Sequence, residues 1–382
     1  MPDYTSENTL RVAKRLQNAK RAYLLVNPLQ AKHIPVSPSK ALAMMNALGS
    51  LLARRWPETR LVIGFAETAT AIGAAVAAAL SPDCIYLPTT REAFPKGQRW
   101  VEFREEHSHA VEQKLCGDGL PARLEGTDTV ILVDDEISTG NTLINMVEAL
   151  RQAYPLFREK RIVAASILNR VPPENEARMA RAGIESACLV KLPQEDYTAR
   201  VAPLSVREAE GAEPAALSLC RETLPCAPLR DPRLGLPIGA YRESCAAAAE
   251  AFLPRALRQI SPGSRVTVLG TEECMYPALL LGKRLEEAGQ DYRVRCHATT
   301  RSPIGVCGEP GYPIFSGRKL PSFYDENRAT YLYDMEACDA LVVVSDTPEE
   351  GTKALGALAA AFPLAAGGRV FYLQGGQHVW YL

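Results

Sequence analysis

Short apolar runs alternate with helical patterns along the first half of the chain. Residues 22–26, 61–65, 84–87, 130–133, 161–168 and 187–192 are brief apolar stretches bounded by turn residues, and each reads as a strand. Between them, Leu42, Met45, Leu48 and Leu52 recur at helical spacing within residues 40–56, residues 68–80 form an Ala-rich helical stretch, and residues 143–153 carry a third helical pattern. Strands alternating with helices predict an α/β fold, a mostly parallel sheet with helices on its faces. Ligands of such sheets bind beyond the carboxyl ends of the strands.

Between Pro193 and Pro237 the pattern dissolves into Pro, Ala, Glu and Arg, which reads as a linker or an extended arm. A second α/β series follows, with helices expected at residues 241–259 and 276–288 and strands at 265–269, 292–298, 340–344 and 369–373. A length of 382 residues exceeds the usual span of one core. The expected organisation is a first domain over residues 1–203, a Pro-rich linker or arm over 204–240, and a second α/β domain over 241–382. The two halves also echo each other. Gly64-Phe65-Ala66-Glu67 precedes a helix as Gly270-Thr271-Glu272-Glu273 does, Thr89-Thr90-Arg91 returns as Thr299-Thr300-Arg301, and Asp134-Asp135 with Gly140 returns as Ser345-Asp346 with Gly351. Echoes in one shared order suggest a duplicated fold.

A net charge of −1 gives no basic field, so neither nucleic acid nor a membrane is an expected partner. No apolar run reaches the length of a bilayer span and the polar start lacks a signal-peptide pattern, so a soluble, cytoplasmic protein is expected. The ten cysteines form no CxxC pair, which argues against zinc and disulfide frameworks and for buried small hydrophobes.

The most chemistry lies in residues 129–143. An apolar run ends in Asp134 and Asp135, a small-residue loop follows as Ser138-Thr139-Gly140-Asn141-Thr142, and a helical pattern begins at Leu143. Backbone N–H groups of such a loop, backed by a helix dipole, bind phosphate, and the Ser and Thr hydroxyls add donors. The acids would repel that phosphate, so they suit a ligand carrying hydroxyls or a metal nearby, as a ribose 5-phosphate does. The segment resembles the phosphoribosyl pyrophosphate (PRPP) motif of type I phosphoribosyltransferases, although Glu136 stands where that family commonly has an apolar residue.

This resemblance implies a type I phosphoribosyltransferase-like sheet in the first domain, with Mg²⁺ as cofactor, held mainly through PRPP, Asp134 and Asp135. It makes Asp134 and Asp135 the catalytic acids and residues 138–142 the 5-phosphate loop. It places the pyrophosphate cradle in the loop after the strand at 61–65, where Gly64, Phe65, Ala66, Glu67 and Thr68 stand. Gly64 permits close backbone approach. Glu67 is unexpected beside pyrophosphate, and reads as a helix cap or as a residue approaching the magnesium. Arg91 follows a strand end and suits pyrophosphate or solvent equally. Residues 94–126 lack periodicity and read as a lid carrying Arg104, His107 and His109, with metal ligation by the acids and histidines around His107 as a second reading. Residues 24–36 lie where orotate-type enzymes have a base-specificity hood, so Lys32 and His33 are candidates for base recognition or for an ordinary hood surface.

Lys32-His33-Ile34-Pro35, Thr89-Thr90-Arg91-Glu92, Glu106-His107-Ser108-His109-Ala110 and the PRPP loop together resemble an orotate phosphoribosyltransferase-like family with an appended domain known by a Thr-Arg-Ser-Pro (TRSP) motif, found here as Thr300-Arg301-Ser302-Pro303. That family is associated with bacterial tellurite-resistance (Ter) stress operons, and the resemblance implies a part in making a nucleoside-like metabolite. In the second domain Arg301, Ser302 and Asp346 are the candidate contacts, while Glu349 and Glu350 replace phosphate-binding hydroxyls. The expected partners are PRPP and a small base-like acceptor, and a homodimer is the expected assembly. The leading expectation is an Mg²⁺-dependent phosphoribosyltransferase. A PRPP-binding regulator without catalysis, and a phosphoribohydrolase-like or phosphorylase-like enzyme, share the same ligand contacts. Such regulators usually carry a DNA-binding domain, and no basic helix-turn-helix pattern is present.

Overall fold

The computed structural model describes residues 3–16, 21–93, 98–103 and 113–381. In chain order, a short helix α1 (Ser6–Thr9) precedes an antiparallel pair, β1 (Arg11–Lys14) and β2 (Tyr23–Val26). Helix α2 (Pro38–Arg55), β3 (Leu61–Gly64), α3 (Thr70–Leu80) and β4 (Ile85–Tyr86) follow. A second antiparallel pair, β5 (Trp100–Phe103) and β6 (Gln113–Cys116), leads to α4 (Leu120–Glu125). Then come β7 (Thr129–Ile137), α5 (Asn141–Ala153), β8 (Arg161–Asn169), α6 (Pro173–Arg181) and β9 (Ile184–Lys191).

After the short helix α7 (Thr198–Val201) come β10 (Glu210–Gly211), β11 (Cys220–Thr223), β12 (Leu236–Pro237) and the long helix α8 (Ile238–Gln259). The second series is β13 (Arg265–Gly270), α9 (Met275–Glu286), β14 (Arg293–Ala298), β15 (Gly317–Pro321), β16 (Ala329–Tyr333), β17 (Cys338–Ser345), α10 (Thr352–Ala361), β18 (Leu364–Gln374) and β19 (His378–Tyr381).

The chain forms two compact units that are not contiguous in sequence. One comprises Met1–Ser6, Ala43–Glu195 and Arg230–Arg242; the other comprises Glu7–Leu42, Asp196–Leu229 and Glu243–Leu382. Residues 7–42, expected with the amino-terminal domain, belong to the second unit. So does much of the expected arm, because β11 finds a partner in β19, pairing Arg221 with Trp380.

In the first unit the sheet order is β12-β4-β3-β7-β8-β9, parallel except for β12. Its central strands are apolar on both faces, as parallel strands covered by helices must be: Leu61, Val62, Ile63 and residues 130–133 are all buried. In the second unit the order is β11-β19-β18-β17-β13-β14, with the four strands from β18 to β14 parallel. One core there lies around Leu269, Leu341, Val343, Leu355 and Tyr372, and another joins Ala13 and Val26 to Ile304, Ile314 and Tyr333.

The same connectivity occurs twice. Strands β4-β3-β7-β8 correspond to β14-β13-β17-β18, α3 to α9, α5 to α10, and the β5/β6 pair to β15/β16. Local bonding repeats as well. Thr90 pairs with Lys114 as Thr300 pairs with Tyr331, and the N–H of Ala66 donates to Thr89 Oγ1 as that of Glu272 donates to Thr299 Oγ1. The echoes in the sequence are thus equivalent places in a repeated fold.

The strands β5 and β6 and the helix α4 lie within residues 94–126, expected to be structureless. All ten cysteines are free, and seven are buried. Among the described residues no helix is long and apolar enough to cross a membrane.

Candidate active site

In the first unit β7 is buried through Val133, and its next three residues are half-buried. Pairing with β3 stops at Gly64 opposite Val133, while pairing with β8 continues to Asn169 opposite Ile137. Asp134 and Asp135 therefore sit on a continuing strand, beyond the end of β3, where carboxylates stay in reach of water and ligand. The N–H of Asp135 donates to Asp134 Oδ1 at 2.9 Å.

The loop after β3 faces these acids, and the Thr68 hydroxyl donates to Asp135 Oδ1 at 2.7 Å. Its middle is clamped from below. Ala66 N–H donates to Thr89 Oγ1 at 2.7 Å, Gln113 Nε2 donates to the Ala66 carbonyl at 3.0 Å, and the Thr89 hydroxyl donates to Gln113 Oε1 at 2.5 Å. Thr89 and Gln113 are both buried, so this network is shielded from water and holds one residue of the loop, Ala66, by both its backbone N–H and its carbonyl. The Phe65 N–H is held by the Val133 carbonyl at 2.9 Å.

Gly64 has a packing role: a Cβ on Gly73 of α3 would lie 2.9 Å from Gly64 Cα, so the pair lets α3 settle on β3. Glu67 is buried and does not cap α3, which starts at Thr70 with Ala69 as N-cap and has no side-chain cap bond. Arg91 is half-buried, next to Thr90, whose backbone exchanges two hydrogen bonds with Lys114.

The loop Ser138–Thr142 enters the thirteen-residue helix α5 through Gly140, whose φ is +77°. Only glycine adopts that left-handed conformation without strain, and an added Cβ would meet Met179 Sδ at 2.5 Å. Gly140 is thus required by the turn itself and by Met179. Helix α6 holds the loop from outside, with Asn175 Nδ2 donating to the Thr139 carbonyl and Arg178 Nη1 donating to Asn141 Oδ1, both at 2.9 Å. The N-terminal N–H groups of α5, a set that lacks partners within any helix, open onto the same edge as the acids.

Residues 9–193 match the model of a phosphoribosyl transferase family, and residues 233–362 match the TRSP domain found C-terminal to it. Residues 9–193 thus belong to this phosphoribosyl transferase family, with its TRSP companion domain after them. The chain is a phosphoribosyltransferase of α/β fold with a C-terminal TRSP domain.

Solved structures similar to this phosphoribosyltransferase include adenine phosphoribosyltransferase from Rhodothermus marinus, at 13% identity over 49% of this chain and 96% of that one, with a TM-score of 0.34. Others are the Trypanosoma brucei adenine enzyme, solved with AMP, pyrophosphate and ribose-5-phosphate (14% identity, 48% and 77% coverage, TM-score 0.35), and the Aeropyrum pernix orotate enzyme (17% identity, 48% and 89% coverage, TM-score 0.29). The search of curated proteins returned no match.

Other candidates fall elsewhere. Lys32 and His33 are buried in the second unit, and Lys32 Nζ donates to the carbonyls of Glu272 and Thr299, both at 2.8 Å. Lys32 is thereby committed to the second unit's interior and does not serve as an exposed base contact. Arg104, His107 and His109 lie outside the described residues. In the second unit, Arg301 Nε and Arg328 Nη2 both reach Glu272 Oε2, at 2.9 and 2.8 Å, and Asp346 accepts the Tyr324 hydroxyl at 2.5 Å. Ser302 belongs to the backbone turn, its N–H on Thr300 Oγ1 and its carbonyl on the Tyr333 hydroxyl. Thr89, Gln113, Glu272, Arg328 and Tyr324 were not among the candidate residues; only Thr89 and Glu272 fall within the repeated motifs, and nothing in the sequence pointed to the other three.

Proposed function

We propose that this phosphoribosyltransferase moves the 5-phosphoribosyl group between PRPP and a nitrogenous base or base-like acceptor, with Mg²⁺ held mainly through PRPP, Asp134 and Asp135. The observation that carries the reading is the meeting of the acid pair with the loop after β3, through the Thr68–Asp135 hydrogen bond, on the edge where α5 begins.

In this reading the backbone and hydroxyls of Ser138, Thr139, Gly140, Asn141 and Thr142 hold the 5-phosphate. Residues 64–68 and Arg91 receive pyrophosphate, and Asp134 and Asp135 receive the ribose hydroxyls. As the bond from C1 to pyrophosphate breaks and the acceptor nitrogen bonds to C1, positive charge develops on the sugar, and the nearby carboxylates stabilise it. Two half-buried carboxylates offer hard oxygen ligands suited to a cation that keeps part of its water and shares substrate phosphates. Such an ion would offset charge on the leaving pyrophosphate. A nucleoside-like product in a stress operon, as the Thr-Arg-Ser-Pro resemblance implies, is consistent with this chemistry.

The test is incubation with PRPP, Mg²⁺ and a panel of bases while pyrophosphate release is followed. Release that requires one class of base supports the reading. Tight PRPP binding with no release for any acceptor would favour the regulator, and release with water alone would favour the hydrolase.

A further inference from the structure

The second unit repeats the first unit's loops with different side chains, and the substitutions have a direction. In the first unit, on the reading above, the C1 end of the ligand faces the loop after β3 with Arg91, and the C5 end faces the loop before α5. The equivalent C1 end in the second unit is the loop after β13 with Arg301, and the equivalent C5 end is the loop before α10.

The C1 end there is strongly organised. Glu272 is fully buried, and its Oε2 receives both Arg301 and Arg328, while its Oε1 accepts the Ser322 hydroxyl at 2.5 Å. The two arginine side chains remain partly open, at 12% and 25% exposure. Glu272 also sits in left-handed backbone at φ +46°, with its N–H on Thr299 and its carbonyl on Lys32. Converging guanidiniums suit a phosphate, and the built-in carboxylate already fills part of their seat, leaving room for one phosphate in place of two.

The C5 end has the opposite character. Gly351 keeps the left-handed turn of Gly140, at φ +62°, but Glu349 and Glu350 replace hydroxyl residues and are exposed. Gln374 Nε2 fixes the loop through the carbonyls of Pro348 and Glu349, at 3.3 and 2.6 Å. An acidic rim repels a phosphate and accepts hydrogen bonds from a hydroxyl. Between the two ends stands Asp346, half-buried at the end of β17 in the position of the first unit's acid pair.

We propose that the second unit binds a pentose 1-phosphate with a free 5-hydroxyl, its phosphate on Arg301 and Arg328 and its ring hydroxyls on Asp346. The orientation rests on the first-unit reading, since the repeat transfers it. Calorimetric titration of the full chain tests this with ribose 1-phosphate, ribose 5-phosphate, PRPP and inorganic phosphate. Variants are Asp134→Asn with Asp135→Asn for the first unit, and Arg301→Ala or Asp346→Asn for the second. Asp346→Asn adds no buried unpaired charge, so it stays informative if Arg301→Ala unfolds.

Ribose 1-phosphate should bind the first-unit variant as it binds wild type, and at least about tenfold more weakly to the second-unit variants. PRPP and ribose 5-phosphate should show the reverse pattern. Loss of ribose 1-phosphate binding in the first-unit variant, no binding by a wild-type chain that binds PRPP, or equal affinity for inorganic phosphate would overturn the proposal. Ribose 1-phosphate binding that depends on Asp346, in a chain that fails to bind PRPP, would support the second site and strike only the first-unit reading.

Discussion

The Thr68 hydroxyl donates to Asp135 Oδ1 across 2.7 Å, joining the loop after β3 to the acid pair on β7. This bond orients a carboxylate that local sequence leaves free to turn. Asp134→Asn and Asp135→Asn should each cost about 2–4 kcal/mol in kcat/KM, the scale of a directed electrostatic contact. Thr68→Val should cost only about 1 kcal/mol, because water can replace its hydroxyl on a half-buried acid. Pyrophosphate release reads all of these variants; turnover unchanged in both Asn variants would remove the acids from the site.

Thr89→Val withdraws the acceptor of the Ala66 N–H and the donor to Gln113 in a buried network. Leaving such groups unsatisfied should destabilise the chain by roughly 2–4 kcal/mol. Gln113→Leu should weaken PRPP binding by releasing the Ala66 carbonyl. Denaturant titration paired with PRPP calorimetry checks both, and wild-type behaviour of the pair would show that the clamp is dispensable.

Gly140→Ala forces a side chain into φ +77° and against Met179. A loss of about 1–2 kcal/mol is expected from the backbone alone. Adding Met179→Ala should relieve the contact without restoring the backbone share, so thermal unfolding of the double variant separates the two causes.

Lys32→Met removes the donor to the carbonyls of Glu272 and Thr299 inside the second unit. Stability should fall by roughly 2–4 kcal/mol, while selectivity among bases stays as in wild type. A changed KM for one base with stability untouched would return Lys32 to acceptor recognition.

His297 is buried and neutral, its Nε2–H donating to the Tyr333 carbonyl and its Nδ1 accepting from the Ala298 N–H. Burial pulls its pKa down from 6.5 to about 4. The unfolded chain therefore binds the proton more readily, so this contribution to stability is complete above pH 6.5 and is lost as pH falls towards 4. The total is roughly 3 kcal/mol. His297→Gln should flatten that segment of the stability profile, measured by melting temperature against pH; an unchanged slope would place the acid sensitivity elsewhere.

Periodicity and motif spacing were enough to mark β3, β7, α5 and β13, because each is a local pattern of apolar residues closed by a turn. They also marked the acid pair and the loop at 138–142, whose residue types and spacing are themselves the signal. Residues 100–103 and 113–116 hid as loop, since a short antiparallel pair is stabilised across strands and shows little along the chain. Residues 220–223 read as arm for the same reason: only pairing with His378–Tyr381 makes them a strand. Lys32 is the sharpest case. A lysine beside a histidine looks like a surface contact in sequence, and only the tertiary arrangement of two distant carbonyls, at Glu272 and Thr299, makes burying its charge favourable. Local sequence thus determined which elements form and where the acid pair and the small-residue loop stand, while long-range packing decided which unit each segment joined and which polar groups were spent on the interior.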